Sequence, residues 1–85
     1  MEEVKRFVGI DVAKVALDVF IGSAGAVFSV ANDEVGIRDL VRQLVPADFV
    51  ILEATGGLEA PAASALATAG IAVGSAVEHR ARRGE

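Results

Sequence analysis

Two short apolar runs in this chain each end in a carboxylate, a group that binds hard divalent cations in proteins. Residues 7–11 (FVGID) end at Asp11, and residues 49–53 (FVILE) end at Glu53. Apolar runs of this length are typical of central strands, and an acid that ends such a strand lies at the edge of the sheet where α/β proteins bind ligands. Two carboxylates that converge there repel unless they share a proton or a cation. The pair therefore predicts a metal site suited to phosphoryl chemistry.

Length and composition set the limits for this interpretation. The chain has 85 residues, of which 53% are hydrophobic and 24% charged, so we expect one small globular domain rather than a disordered segment. It has no cysteine, which excludes disulfides and thiolate metal ligands. The formal net charge of −4 argues against strong binding of nucleic acid by these residues alone, since phosphate contacts need clustered cations.

The ends of the chain are charged. Residues 1–6 (MEEVKR) do not have the pattern of a signal peptide, and no apolar stretch is long enough for a bilayer span, so we expect a cytoplasmic protein without a membrane partner. Residues 78–85 form a charged tail with three arginines, Arg80, Arg82 and Arg83, and a single histidine, His79.

The elements that must position the two acids follow from the hydrophobic pattern. Residues 7–13, 15–22 and 26–31 predict three strands, and the short connections between them predict an antiparallel meander. Asn32, Asp33 and Glu34 are typical of a helix start. An apolar stripe then predicts an amphipathic helix, which Pro46 ends. The stripe consists of Ile37, Leu40, Val41, Leu44 and Val45.

The second half of the chain predicts an alternation of strand and helix. Residues 48–53 form a strand that the helical crossover places parallel to a strand of the meander. Pro61 suits the first turn of a second helix and Gly70 suits its C-terminal cap. A last short strand covers residues 71–73. The expected apolar face of the second helix consists of Leu58, Ala62, Ala65, Leu66 and Ala69.

This order of elements resembles the ribonuclease H-like fold in its RuvC-like form, a mixed α/β sheet in which the first strand is central and the fourth strand lies parallel beside it. Residues 8–14 (VGIDVAK) with 17–19 (LDV) resemble the opening of the DEDD transposases of bacterial insertion sequences, the Piv/MooV group. Residues 32–40 are similar to the family's "xNDxxGxxxL" stretch, and residues 53–59 (EATGGLE) to its "EATGGYE" signature. The resemblance covers residues 7 to about 73.

The resemblance implies DNA transposition and recombination by metal-dependent strand cleavage and transfer. Asp11 and Glu53 match the first two of four catalytic acids, which in the family hold Mg²⁺ or Mn²⁺. The other two aspartates lie downstream of the region matched here. We therefore expect residues 1–77 to be a truncated catalytic domain that is inactive alone and holds a cation weakly or not at all. Residues 78–85 depart from the family's "NPRQVRxFA" segment.

Two other functions remain open from the sequence. A GIDV-type strand followed by a hairpin also begins the ATPase domains of the actin, heat-shock chaperone and sugar kinase group, where the first acid handles ATP and Mg²⁺. The chain can also be a non-catalytic fragment that forms homo-oligomers through an uncovered sheet or helix surface.

Several polar residues near the two acids have both a functional and a structural interpretation. Lys14, Thr55 and Gly56 are candidate contacts to nucleic-acid phosphates. Lys14 can equally be a solvated lysine in a turn, and the glycines can serve to let the chain turn tightly behind Glu53. For Glu59 we expect a role at the helix dipole rather than metal binding. Asp18 falls outside the apolar alternation and is expected to face solvent.

Overall fold

The computed structural model describes residues 6–22, 25–54 and 56–75. Thr55, which is a candidate phosphate contact, and the charged tail with His79, Arg80, Arg82 and Arg83 lie outside these residues. The described chain forms five strands and two helices in the order β1 (Phe7–Val12), β2 (Ala16–Ile21), β3 (Ala26–Ala31), α1 (Glu34–Arg42), β4 (Phe49–Glu53), α2 (Ala60–Thr68) and β5 (Ala72–Ser75).

The strands form one mixed sheet in the order β3-β2-β1-β4-β5. β1, β2 and β3 pair in antiparallel fashion, whereas β4 is parallel to both β1 and β5. This arrangement confirms the predicted meander and the predicted parallel pairing of β4 with β1. The three central strands end close to their predicted positions, and β5 extends two residues beyond the predicted 71–73.

The core lies on one face of the sheet, under both helices. Alternate residues of β1, β2 and β4 are buried there, together with apolar side chains of α1 and α2. The opposite face carries the other residues of each strand and is not covered by any helix of the described chain. We call it the open face, and it includes Phe7, Gly9, Asp11, Asp18, Phe20, Val27, Ser29, Phe49, Ile51 and Glu53.

Helix α1 begins as the sequence predicts and ends earlier. Asp33 is its N-cap, and its Oδ1 accepts a hydrogen bond of 2.8 Å from the Gly36 amide. The predicted apolar stripe places Val45 on the buried side of the helix, but α1 ends at Arg42 and Val45 is 48% exposed. The physical reason is Pro46, which disfavours the helical conformation of the residue before it. The Val45 amide instead donates to the side chain of Asp48.

Helix α2 ends in a Schellman motif. Gly70 has φ of 82°, its amide donates to the Ala67 carbonyl, and the Ile71 amide donates to the Leu66 carbonyl. Ile71 and Leu66 are both buried, which supplies the apolar contact that accompanies this motif. At the other end, Glu59 is the N-cap residue rather than part of the first turn, and its side chain makes no capping hydrogen bond.

Gly36 packs against the end of β3 more closely than any side chain allows. A Cβ atom at this position would lie 1.9 Å from the Ala31 carbonyl oxygen. The absence of a side chain therefore lets the first turn of α1 lie directly on the end of β3. None of the described helices is long and apolar enough to cross a membrane.

Candidate functional site

Asp11 and Glu53 are direct neighbours on the open face. The parallel pairing of β1 and β4 places Asp11 opposite Glu53, at the carboxyl ends of both strands. Side chains opposite each other on adjacent strands have Cβ atoms about 5 Å apart, so both carboxylates reach a common point. Both residues are exposed. The structure thus brings together the two acids that the sequence singles out.

An ion pair at the opposite end of the same two strands supports this register. Arg6 precedes β1 and Asp48 precedes β4, each five positions before its strand's acid. Arg6 Nε and Nη2 donate to the two carboxylate oxygens of Asp48 at 2.7 and 2.9 Å. The Phe49 amide also donates to the Arg6 carbonyl at 2.8 Å. This two-point contact defines which residue of β1 faces which residue of β4.

The Asp48 carboxylate is buried and fully engaged. Its side chain is 0% exposed, whereas that of Arg6 is 33% exposed. The hydrogen bonds from Arg6 hold the pKa of Asp48 below its usual value, even though burial raises it, and the bond from the Val45 amide lowers it further. Asp48 is therefore ionised in the folded protein at neutral pH, and the ion pair remains formed there.

A third carboxylate continues the row on the other side of Asp11. Asp18 on β2 is the register partner of Asp11, and Ser29 on β3 is the partner of Asp18. As predicted, Asp18 is exposed, but it is not an isolated solvent-facing side chain. The Ser29 hydroxyl donates to its Oδ1 at 2.6 Å, which directs the carboxylate towards β3 and away from Asp11.

The two acids also have structural interpretations: Asp11 could cap the turn after β1, and Glu53 could accept hydrogen bonds from the Gly56–Gly57 loop, but the contacts of the described residues support neither. There, neither Gly56 nor Gly57 donates a hydrogen bond to Glu53, and the turn after β1 is closed by the Ala13 amide and the Ala16 carbonyl rather than by Asp11. The two glycines do have positive φ angles of 68° and 80°, which confirms that they allow the tight loop behind β4.

A groove of about 360 Å³ runs along the open face beside the carboxylates. Asp11, Asp18 and Glu53 line one end of it, and Phe20, Val27 and Ile51 are among the residues that line the rest. Gly9 also lines the groove, and a Cβ atom there would meet no other atom within 4 Å. The missing side chain of Gly9 therefore helps to keep the groove open between its walls.

Lys14 lies in the turn immediately after β1, on the same edge of the sheet as the two acids, and is exposed. The turn is braced by Asn32, whose side-chain amide donates to the Ala13 carbonyl at 2.8 Å and whose backbone amide donates to Val15. Gly56 lies at this edge as well and is exposed. Lys14 and Gly56 are thus placed near the acids, and their predicted phosphate contacts stay predictions.

The donor set fits one hard cation held by few protein ligands. Carboxylate oxygens are the ligands that Mg²⁺ and Mn²⁺ prefer, and Mg²⁺ commonly keeps several waters beside one or two carboxylates. Within the described residues, no group of three or more acidic, His or Cys side chains is arranged to hold a metal. Asp11 and Glu53 are the pair that would hold such an ion.

A larger cavity of about 740 Å³ lies between α1 and α2, on the other side of the molecule. Its lining is mainly apolar, with Asp33, Glu34 and Arg38 among the polar residues at one side. Arg38 and Glu34 form an exposed contact of 3.9 Å, which contributes little. This cavity does not bring together side chains that suit acid–base or metal chemistry.

Sequence reasoning missed three contributions to the site. The first is the Arg6–Asp48 pair, although opposite charges that directly precede two predicted parallel neighbours are a usable signal. The second is the position of Asp18 beside Asp11, which follows once the hairpin register is known. The third is the brace from Asn32, which has no signal in the sequence because its acceptor is a backbone carbonyl, a group that every residue carries.

No protein-family model matches the chain, and no curated protein is significantly similar to it.

Proposed function

We propose that this chain is the N-terminal part of a metal-dependent DNA transposase with a ribonuclease H-like, RuvC-like domain. The observation that carries the proposal is the register pairing of Asp11 with Glu53 at the carboxyl ends of parallel neighbouring strands. The strand order around this pair, together with the VGID and EATGG motifs, supports the same assignment. The two carboxylates hold Mg²⁺ or Mn²⁺, and the DNA backbone is the substrate.

Each residue near the pair has a separate role in this proposal. The Arg6–Asp48 pair fixes the strand register that keeps Asp11 opposite Glu53. Ser29 holds Asp18 away, so that a third negative charge does not enter the shared position. Lys14 and Gly56 contact phosphate groups at the same edge, and Thr55, which lies outside the described residues, is a candidate for the same role from its place in the EATGG motif. A cation held here would polarise a phosphoryl oxygen and activate a water nucleophile.

Binding of a paramagnetic cation tests the site directly. We expect Mn²⁺ at millimolar concentration to broaden the amide NMR signals of Asp11 and Glu53 before all others in the described strands. Asp11→Asn and Glu53→Gln should each abolish this selective broadening, because each removes half of the ligand set. Asp39→Asn, which removes an exposed acid on α1, is the matched control and should leave it intact. Equal broadening of all acidic positions would contradict the proposal.

Two carboxylates do not suffice for the chemistry that a two-metal cleavage requires. We therefore expect these 85 residues alone not to nick supercoiled DNA in the presence of Mg²⁺ or Mn²⁺. Robust nicking that Asp11→Asn abolishes would show that the chain needs no further acids.

A second candidate function is self-association, which the open face favours. Phe7 is 61% exposed there, and its ring packs edge-to-face on that of Phe49 with centroids 6.0 Å apart. Phe49 is half-buried, so Phe7 is the exposed ring of the pair, and exposed apolar surface is typical of an interface between proteins where it forms a patch.

A further inference from the structure

The outer edge of β3 has no strand beside it in the described part of the chain. β3 is the first strand of the sheet and pairs with β2 alone. In an antiparallel pair, alternate residues direct their N–H and C=O groups to the neighbouring strand. The Asn32 amide donates to the Val15 carbonyl at 3.0 Å, so the even-numbered residues of β3 face β2. Val27, Ser29 and Ala31 therefore direct their backbone groups outwards.

This edge lacks the features with which proteins usually prevent strand pairing. Residues 26–31 (AVFSVA) contain no charge and no proline, and they pair with β2 at six successive positions without a bulge. Val27 is 69% exposed. The first turn of α1 lies against the Ala31 carbonyl through Gly36, so that end of the edge is covered. The accessible backbone groups are those of Val27 and Ser29.

The edge is geometrically complementary to itself. A two-fold axis at Phe28 places Val27 opposite Ser29 of a second copy, and Ser29 opposite Val27 of that copy. Both pairs join outward-facing residues, so each pair exchanges its N–H and C=O groups in hydrogen bonds. Phe28 then lies opposite its own counterpart at a non-hydrogen-bonded position, where side chains approach most closely. Phe28 and Val30 are only half-buried in one copy, and this pairing covers both.

The distribution of charge favours a second copy as the partner of β3. The pairing brings together only uncharged side chains, whereas a charged strand would place its charge against Val27 or Phe28. The nearest acid on the open face is Asp18, one strand inwards from Ser29. Asp18 and its counterpart would be three strand spacings apart, about 14 Å, which exceeds the Debye length of about 8 Å at physiological ionic strength. The acidic rows formed by Asp11, Asp18 and Glu53 therefore do not oppose each other.

We propose that β3 pairs in antiparallel fashion with β3 of a second copy, about a two-fold axis at Phe28, and joins the two sheets into one. This interface lies at the edge of the sheet. It is separate from the aromatic end of the open face around Phe7 and Phe49, and it does not depend on the proposed function.

Disulfide trapping tests the register of the pairing. The chain has no cysteine, so Phe28→Cys introduces a single thiol. Facing Cα atoms at a non-hydrogen-bonded position are about 4.5 Å apart, which a disulfide spans. We expect Phe28→Cys at micromolar concentration in a glutathione redox buffer to form disulfide-linked dimers, measured by non-reducing electrophoresis. The experiment uses the Phe7→Lys background, so that association through the aromatic end does not contribute.

Val30→Cys is the matched control, because Val30 lies on the same strand and the same face and is also half-buried. In the proposed register Val30 lies opposite Ala26, so the two copies of Val30 are about 13 Å apart, too far for a disulfide. Its dimer fraction should be at least several-fold lower than that of Phe28→Cys. Equal or stronger cross-linking of Val30→Cys would overturn the pairing about Phe28.

Amide hydrogen exchange tests the same interface with Phe28 in place. In the Phe7→Lys protein, exchange at Val27 and Ser29 should slow at least tenfold between dilute and concentrated samples. Val27→Glu should abolish this concentration dependence, because it places carboxylates near each other and near Asp18 of the second copy. Val35→Glu adds the same charge at an equally exposed site, 68% against 69%, and should preserve it. Slow exchange at Val27 and Ser29 that does not depend on concentration would overturn the proposal, because the chain itself would then cover the edge. Fast exchange at every concentration would overturn it as well.

Discussion

At the scale of single residues, the contact with the clearest energetic consequence is the ion pair between Arg6 and Asp48. The Asp48 carboxylate is excluded from solvent and accepts hydrogen bonds from two guanidinium nitrogens and one backbone amide. A buried charge that loses its partners costs more than the contact itself contributes, so the pair makes the alignment of β1 with β4 strongly preferred. The two candidate catalytic acids owe their juxtaposition to this alignment.

Asp48→Asn should lower the free energy of unfolding by about 2 kcal/mol, because the charged acceptor is lost and Arg6 retains only one good oxygen. Urea denaturation at neutral pH measures the loss. Asp39→Asn, at an exposed position on α1, is the control and should change the unfolding free energy by less than about 0.5 kcal/mol. Equal stability of the wild type and Asp48→Asn would show that the ion pair contributes nothing.

The difference in unfolding free energy between the wild type and Asp48→Asn should depend on pH in a defined direction. Because the pKa of Asp48 is lower in the folded protein than in the unfolded chain, its contribution to stability is complete above the unfolded pKa and is lost as the pH falls through the folded value. The difference in unfolding free energy between the wild type and Asp48→Asn should thus be level from about pH 5 to 7 and shrink below about pH 4. A difference that grows on acidification would contradict this assignment.

At the scale of elements, the connection from β3 to α1 depends on a glycine. Gly36→Ala should destabilise the fold by about 2 kcal/mol or more, since a Cβ atom would collide with the Ala31 carbonyl, which is backbone and cannot rotate away. Thermal or urea unfolding measures the effect. Gly9→Ala is the matched control, because a Cβ there meets nothing within 4 Å, and it should be nearly neutral. Similar losses for both variants would show that the close approach is not responsible.

The end of α2 gives a second prediction at this scale. Gly70→Ala should cost about 1 kcal/mol, because φ of 82° is strained for any residue with a Cβ atom. Gly70→Asn should cost less, because asparagine tolerates the left-handed conformation better than alanine does. If the two variants unfold at the same denaturant concentration, the backbone conformation is not what limits this position.

The elements themselves were predictable from the sequence to a large extent, and the exceptions have physical reasons. The alternation in β2 and the apolar runs in β1 and β4 indicate strands directly, because side-chain period and burial are local properties. The end of α1 was predicted too late, because the stripe continues to Val45 while Pro46 and the side chain of Asp48 end the helix. The pairing of Asp11 with Asp18 was missed, because register depends on the turn between β1 and β2 rather than on either strand.

At the scale of the whole molecule, one face of the sheet is covered and the other is not. Both helices pack on the same face, where the core forms a single cluster. The open face combines an acidic row at one end with exposed aromatic rings at the other. The acidic end suits cations, whereas the aromatic end, around Phe7 and Phe49, suits apolar contacts. The two ends of the open face therefore differ in charge and polarity.

We expect the full chain to self-associate through the aromatic end of the open face at micromolar concentration. Sedimentation should show a mass that rises with concentration, and Phe7→Lys should shift this rise to higher concentration, because it places a charge where two apolar surfaces meet. Val35→Lys is the control: Val35 is 68% exposed, but it lies on α1 and not on the open face, so this variant should associate like the wild type. A monomer at all these concentrations would contradict the prediction. Association that Phe7→Lys and Val35→Lys weaken equally would place the interface elsewhere.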